Sequence, residues 1–218
     1  MKQASNKYFK QIEQQHLDNM LRQLFGFELI LLGGDSLKTV QISSIANKHH
    51  VITKVSGAGE VIADFSELPF LPNSVDVMVL HHGLEQVKNP KLVLQELYRM
   101  LRYDGYLILL GYNPWRWQAR KFWQAEQKRL QHPGQMQSLV SLRYLLEALG
   151  FSIRSESHYG FWQANSLWLE CWGSKLIPLL STGYGLLLQK SEPGVSAVRP
   201  AWLSFGNLKK TTVRGLVN

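Results

Sequence analysis

The sequence predicts an α/β protein: a mostly parallel, seven-stranded sheet with helices on both faces and an antiparallel terminal strand. Two observations carry this. Strand-length apolar runs alternate with amphipathic helical patterns through most of the 218 residues, the order that produces parallel strands joined by right-handed crossovers. The alternation then breaks near the end, where strand 151–159 and strand 184–190 are separated by a variable stretch, which leaves room for an antiparallel pair at one side of the sheet.

Taken in order, residues 7–25 read as an amphipathic helix with Ile12, Met20, Leu21 and Leu24 near helical spacing and Gly26 as its stop. "FELILLGG" is a nearly continuous apolar run, as expected of a strand buried on both faces. "HHVITKV", "EVIADF" and "SVDVMVLHH" follow as the second, third and fourth strands. "NPKLVLQELYRMLRYDG" is a helix with Pro90 in its first turn, an apolar stripe of Leu92, Leu94, Leu97, Met100 and Leu101, and Gly105 as its stop. "YLILLGY" is the fifth strand, followed by a long helical segment 114–131 and the helix "SLVSLRYLLEALG". "FSIRSESHY" and "GYGLLLQKS" complete the set. The organisation expected is a single domain over 1–193, with a lid-like helical segment 114–149 and an insertion 161–183 between the last two strands. A basic tail, 194–218, follows.

Composition narrows the function classes. Hydrophobic content is 45% and charged content 18%, ordinary for a globular chain. No apolar run reaches the roughly 18 residues of a membrane span. The N-terminal stretch lacks an apolar signal core, so a cytoplasmic protein is expected. Cys171 is the only cysteine, which excludes an internal disulfide and a thiolate metal cluster. The net charge of +8 is lopsided: residues 1–110 carry 11 basic and 11 acidic side chains, and residues 111–218 carry 13 and 5. A basic half suits nucleic acid, an anionic membrane surface or an anionic substrate, and equally a solvated face that binds nothing specific. The sequence sets no oligomeric state.

Ligands of open α/β sheets sit beyond the carboxyl ends of the strands. Those ends are Gly33-Gly34-Asp35, Lys54-Val55, Asp64-Phe65 and His81-His82. Asp64 is also a natural loop cap. His81 and His82 are candidates to orient or deprotonate a substrate group. Adjacent strand residues point to opposite faces, so no metal is expected on this pair. "NPWRWQARKFWQAEQKR" mixes Trp115, Trp117, Phe122 and Trp123 with five cations. The simplest reading packs the aromatics down as a lid and turns the cations to water.

Residues 61–110, with "DFSELPF", "NSVDVMVLHH" and "NPKLVLQELYRMLRYDGYLILL" in continuous order, resemble the latter half of class I S-adenosylmethionine-dependent methyltransferases. The nearest resemblance is to the type 11 group, which includes ubiquinone and menaquinone biosynthesis enzymes. The resemblance implies a Rossmann-like fold, S-adenosyl-L-methionine as cofactor with S-adenosylhomocysteine as product, and a small-molecule methyl acceptor. It implies that Gly33, Gly34 and Asp35 lie at the methionine end of the cofactor and that Asp64 accepts the adenine amine. The Phe65 amide would meet a ring nitrogen, and His81 and His82 would line the meeting point of cofactor and acceptor as catalytic candidates.

The chain departs from the pattern in the first part. Leu31 stands at the usual acidic position, only Gly33 of the three loop glycines is in frame, and Lys54 falls where an acid would hold the ribose. From Gly33 to Asp64 is 31 positions, and "SLKTVQISSIANK" is a poor helix by propensity, so an abbreviated first crossover is expected. The alternative function is therefore a degenerate methyltransferase-like protein that binds cofactor weakly or not at all and acts as an interaction module.

Overall fold

The computed structural model describes residues 2–33, 44–52, 61–130, 134–161 and 181–191. Its elements are α1 (Lys2–Leu21), β1 (Glu28–Gly33), β2 (Asn47–Ile52), β3 (Val61–Ile62), β4 (Val75–His81), α2 (Pro90–Met100), β5 (Leu101–Tyr112), α3 (Trp117–Leu130), α4 (Leu139–Ala148), β6 (Phe151–Tyr159) and β7 (Gly183–Lys190), with a 3-10 turn at Leu84–Gln86. The seven strands form one sheet in the order β3-β2-β1-β4-β5-β7-β6. β1 pairs parallel with β2 and β4, β2 with β3, and β4 with β5. β7 runs antiparallel to both β5 and β6, so the reversed strand is the last in sequence but sits inside the sheet. The strand order reverses between β1 and β4, the switch point where ligands of such sheets gather.

The apolar runs are continuous because the sheet is covered on both sides. Ile30, Leu32, Met78, Leu80, Leu107 and Leu109 face one core, shared with Val93, Leu94 and Leu97 of α2 and with Leu142 and Leu146 of α4. Their neighbours Leu29, Leu31, Val77, Val79, Ile108 and Leu110 face a second core, shared with Phe9, Ile12, Leu17, Met20 and Leu21 of α1 and with Ala119 of α3. The period of two along each strand divides the side chains between the two layers.

Several expectations shift. α1 ends at Leu21, five residues before Gly26. The third strand shortens to Val61–Ile62 at the sheet edge. The buried stripe of α2 is Val93, Leu94, Leu97 and Met100, and Leu92 is exposed. Gly105 is not a helix stop: α2 ends at Met100, and Leu101 already opens β5. Asn73 and Ser74 donate their amides to the carbonyls of Arg99 and Met100, which satisfies the end of α2. On α3, Phe122 and Trp123 pack against the second core as expected. Trp115 and Trp117 instead face solvent, with Lys121 Nζ 4.1 Å from the Trp117 ring centroid. The segment 34–43, most of the insertion 161–183 and the tail 194–218 lie outside the described residues.

Candidate functional site

The site lies at the carboxyl end of the sheet, where β1 and β4 run side by side. Gly33 ends β1 opposite His81 of β4. Its φ is +78°, and a Cβ there would lie 2.8 Å from the His81 carbonyl oxygen, so only glycine fits this turn beside β4. His50 Nε2 donates to the Gly33 carbonyl at 2.9 Å and ties the end of β2 to the same point. Gly34, Asp35 and Lys54 fall outside the described residues.

Beyond β3, Asp64 is exposed, and its Oδ1 accepts the Ser66 amide at 2.9 Å and the Ser66 hydroxyl at 2.7 Å. This is the loop-capping arrangement open to any aspartate. Phe65 is fully buried, its ring 3.9 Å from the position a Gly33 Cβ would take and 3.2 Å from that of Gly83. The loop is pinned from α2. Glu96 accepts the Leu68 amide, and Arg99 donates to the Phe70 carbonyl and pairs with Glu96. The hydrogen bond from Arg99 holds the Glu96 carboxyl below its ordinary pKa. Gly33 thus lies opposite His81, with the Phe65 ring beside it.

The histidine pair departs from expectation. His82 has a φ of +50°, which takes it out of the strand's alternation, and its amide donates to the Leu110 carbonyl. Both imidazoles consequently reach one carboxylate, Glu13 of α1. His81 Nε2 is 3.0 Å from Glu13 Oε2, and His82 Nε2 is 2.9 Å from Glu13 Oε1. The premise that adjacent histidines must face apart fails on this single left-handed residue. The Tyr159 hydroxyl, at the end of β6, also donates to Glu13 Oε1 at 2.8 Å. Tyr112 stacks on the His82 ring at 3.8 Å between centroids, and its amide donates to Glu85 Oε1.

Glu13 and His82 are almost fully buried, and the His81 side chain is 12% exposed. Burial alone would neutralise the Glu13 carboxylate. The charges of His82 and His81 and their hydrogen bonds outweigh it and hold the carboxyl far below its ordinary range. Burial likewise opposes a charged His82, but Glu13, with help from Glu85, holds that ring well above the usual histidine value. Burial and the Glu13 charge push the Tyr159 phenol well up, so it serves as a neutral donor. The cluster is a buried carboxylate holding two imidazoles in fixed orientation at the end of β4, an arrangement that can position a base or, through three ligand atoms within 4.8 Å of one another, a metal ion.

Glu13 was missed by sequence reasoning, although a signal exists. It lies four residues from Phe9 and four from Leu17, inside the buried stripe of α1. A carboxylate in an apolar stripe needs buried partners.

The chain is similar to known proteins in sequence over part of its length and in fold over most of it. Residues 36–109 match the sequence model of a methyltransferase domain family, the type 11 group. The protein YafS of Escherichia coli (strain K12) is 35% identical over 108 residues, which cover 49% of this chain and 44% of YafS; the match therefore spans less than half of that relative's length. Among solved structures, a Thermotoga maritima S-adenosylmethionine-dependent methyltransferase, named as a possible histamine N-methyltransferase, superposes with a TM-score of 0.59. It shares 16% identity, and the superposition covers 84% of this chain and 90% of that one. A second such methyltransferase, from Archaeoglobus fulgidus, gives 0.57 at 15% identity, over 81% of this chain and 94% of that one. These structures share the fold.

Proposed function

We propose that this chain, which has the class I methyltransferase fold and a type 11 methyltransferase domain match, transfers a methyl group from S-adenosylmethionine to a small-molecule acceptor. The observation that carries the reading is the convergence of Gly33, Phe65 and His81 at the switch point of the sheet, the place where this fold binds its cofactor. S-adenosylmethionine supplies an electrophilic methyl on sulfur. Gly33, with Gly34 and Asp35 beside it, receives the methionine end. The Asp64 carboxylate accepts the adenine amine, and the Phe65 amide meets the adenine ring.

His81 and His82 line the meeting point with the acceptor. Glu13 occupies His81 Nε2, so Nδ1 is the ring atom placed to take a proton from an acceptor hydroxyl or amine. Methyl transfer to a good nucleophile depends mainly on in-line placement, so the histidines act first as positioning groups. A cytoplasmic location belongs to this reading; among the described residues no helix is long and apolar enough to cross a membrane.

A second reading, a degenerate protein that binds cofactor weakly and serves as an interaction module, is favoured by Leu31. That side chain stands where the family carries an acid, and it is buried in the second core.

Asp64→Ala tests the first reading. Loss of a charged hydrogen-bond partner costs about 1.5–3 kcal/mol, roughly ten- to hundredfold in affinity. Calorimetric affinity for S-adenosylhomocysteine should fall by that factor, and an unchanged affinity would remove Asp64 from the cofactor site.

A further inference from the structure

We propose that Glu13, His81 and His82 form a binding site for a divalent transition-metal ion of the zinc or cobalt type. The ligand set is two imidazoles and one carboxylate, the mixture that suits zinc, cobalt and iron rather than magnesium or calcium. The spacing is close. Two ligand atoms bonded at about 2.1 Å at the tetrahedral angle lie roughly 3.4 Å apart, and the two nitrogen–oxygen separations here are 3.0 and 2.9 Å, each to a different oxygen of Glu13. All three ligand atoms fall within 4.8 Å of one another, and side-chain rotations that bring each pair to roughly 3.4 Å let one ion bond all three. An ion entering the cluster displaces the protons that the two Nε2 atoms now share with Glu13.

The surroundings are those of a supported site. The Tyr159 hydroxyl donates to Glu13 Oε1 at 2.8 Å and fixes the carboxylate plane. His82 Nδ1 makes no hydrogen bond among the described residues and lies 3.9 Å from Glu85 Oε1, so a slight turn of the ring would give it the carboxylate partner that metal-bound histidines commonly have. Tyr112 stacks on that ring and holds its tilt. The left-handed backbone of His82 brings a second imidazole to the same carboxylate, at a conformational cost that a β-strand otherwise avoids. Charge balances as well: two carboxylates, Glu13 and Glu85, face two imidazoles that are neutral when they bind metal, and a dication completes the set. Three protein ligands leave a coordination position for water or a substrate oxygen. The inference goes beyond methyl transfer, and its test reads metal directly.

The test is titration of the tag-free, chelator-treated full chain with Co²⁺, followed by its visible absorption and by competition with Zn²⁺. Saturable binding at about one ion per chain is expected, with d–d bands that Zn²⁺ removes. His81→Asn, at the most accessible of the three positions, should weaken binding on the order of 100-fold or more, and Tyr159→Phe, which leaves all three ligands, on the order of 10-fold. His158→Asn, which removes a histidine paired with Glu156 on β6, should bind as the unaltered chain does. Circular dichroism identifies any variant that fails to fold, and Tyr159→Phe then carries the comparison. Absence of saturable binding, equal binding by the unaltered chain and His81→Asn, or loss of binding in folded His158→Asn would each overturn the proposal. None of these outcomes depends on S-adenosylmethionine, so failure here and failure of the methyl-transfer reading are separate results.

Discussion

Glu13→Ala should destabilise the metal-free protein by about 3–5 kcal/mol, the cost of breaking a buried ion pair from one side. The carboxylate accepts from His81, His82 and Tyr159, and its removal leaves His82 Nε2 buried without its acceptor. Glu13→Gln keeps an amide oxygen for one donor and should cost less. The loss has a defined pH profile. Glu13 is held below its ordinary pKa, so its contribution is present above about pH 4.3 and disappears as the pH falls through the folded value. His82 is held above its ordinary pKa, so its contribution is complete below about pH 6.5 and is lost as the pH rises through the folded value. The stability gap between the unaltered chain and Glu13→Ala, measured by urea unfolding, should therefore be widest between those two values. A gap under about 1 kcal/mol at pH 6 would contradict the ion-pair account.

Gly33→Ala should strike both stability and cofactor binding. At a φ of +78° an alanine pays about 1–2 kcal/mol for the left-handed backbone alone. Its Cβ would also stand 2.8 Å from the His81 carbonyl. Because that neighbour is backbone, no side-chain rotation relieves the contact, and β1 must move away from β4. The total expected is about 2–4 kcal/mol by urea unfolding, with affinity for S-adenosylhomocysteine down by on the order of tenfold or more. Unchanged stability would show that the turn relaxes freely. Unchanged affinity in a stable variant would place the cofactor elsewhere.

The sheet was legible because its strands are covered on both faces, so apolar runs such as Leu29–Leu32 and Leu107–Leu110 declare themselves locally. The reversal of β7 followed from two strands in succession without a helical pattern of the same strength between them. β3 was overread because edge strands are short and the alternation in "EVIADF" extends past its pairing. Gly33, Phe65 and His81 came from strand ends, which local pattern fixes. Glu13 and the convergence of His81 and His82 did not, since their contacts span 68 and 69 residues of sequence. They also depend on one left-handed residue, His82, that no periodicity announces. The exposed Trp115, in the turn before α3, and Trp117, at its start, show the same limit: aromatic composition does not say which rings face the core.

Calorimetric titration of the unaltered chain with S-adenosylmethionine and S-adenosylhomocysteine tests the central claim most directly. With Leu31 in place of an acid and no carboxylate at Lys54, the account predicts saturable binding at about one site per chain, with a dissociation constant on the order of tens of micromolar, weakened ten- to hundredfold by the lost contacts. No heat of binding from either ligand up to roughly millimolar concentration would contradict it and leave the chain a methyltransferase fold put to another use.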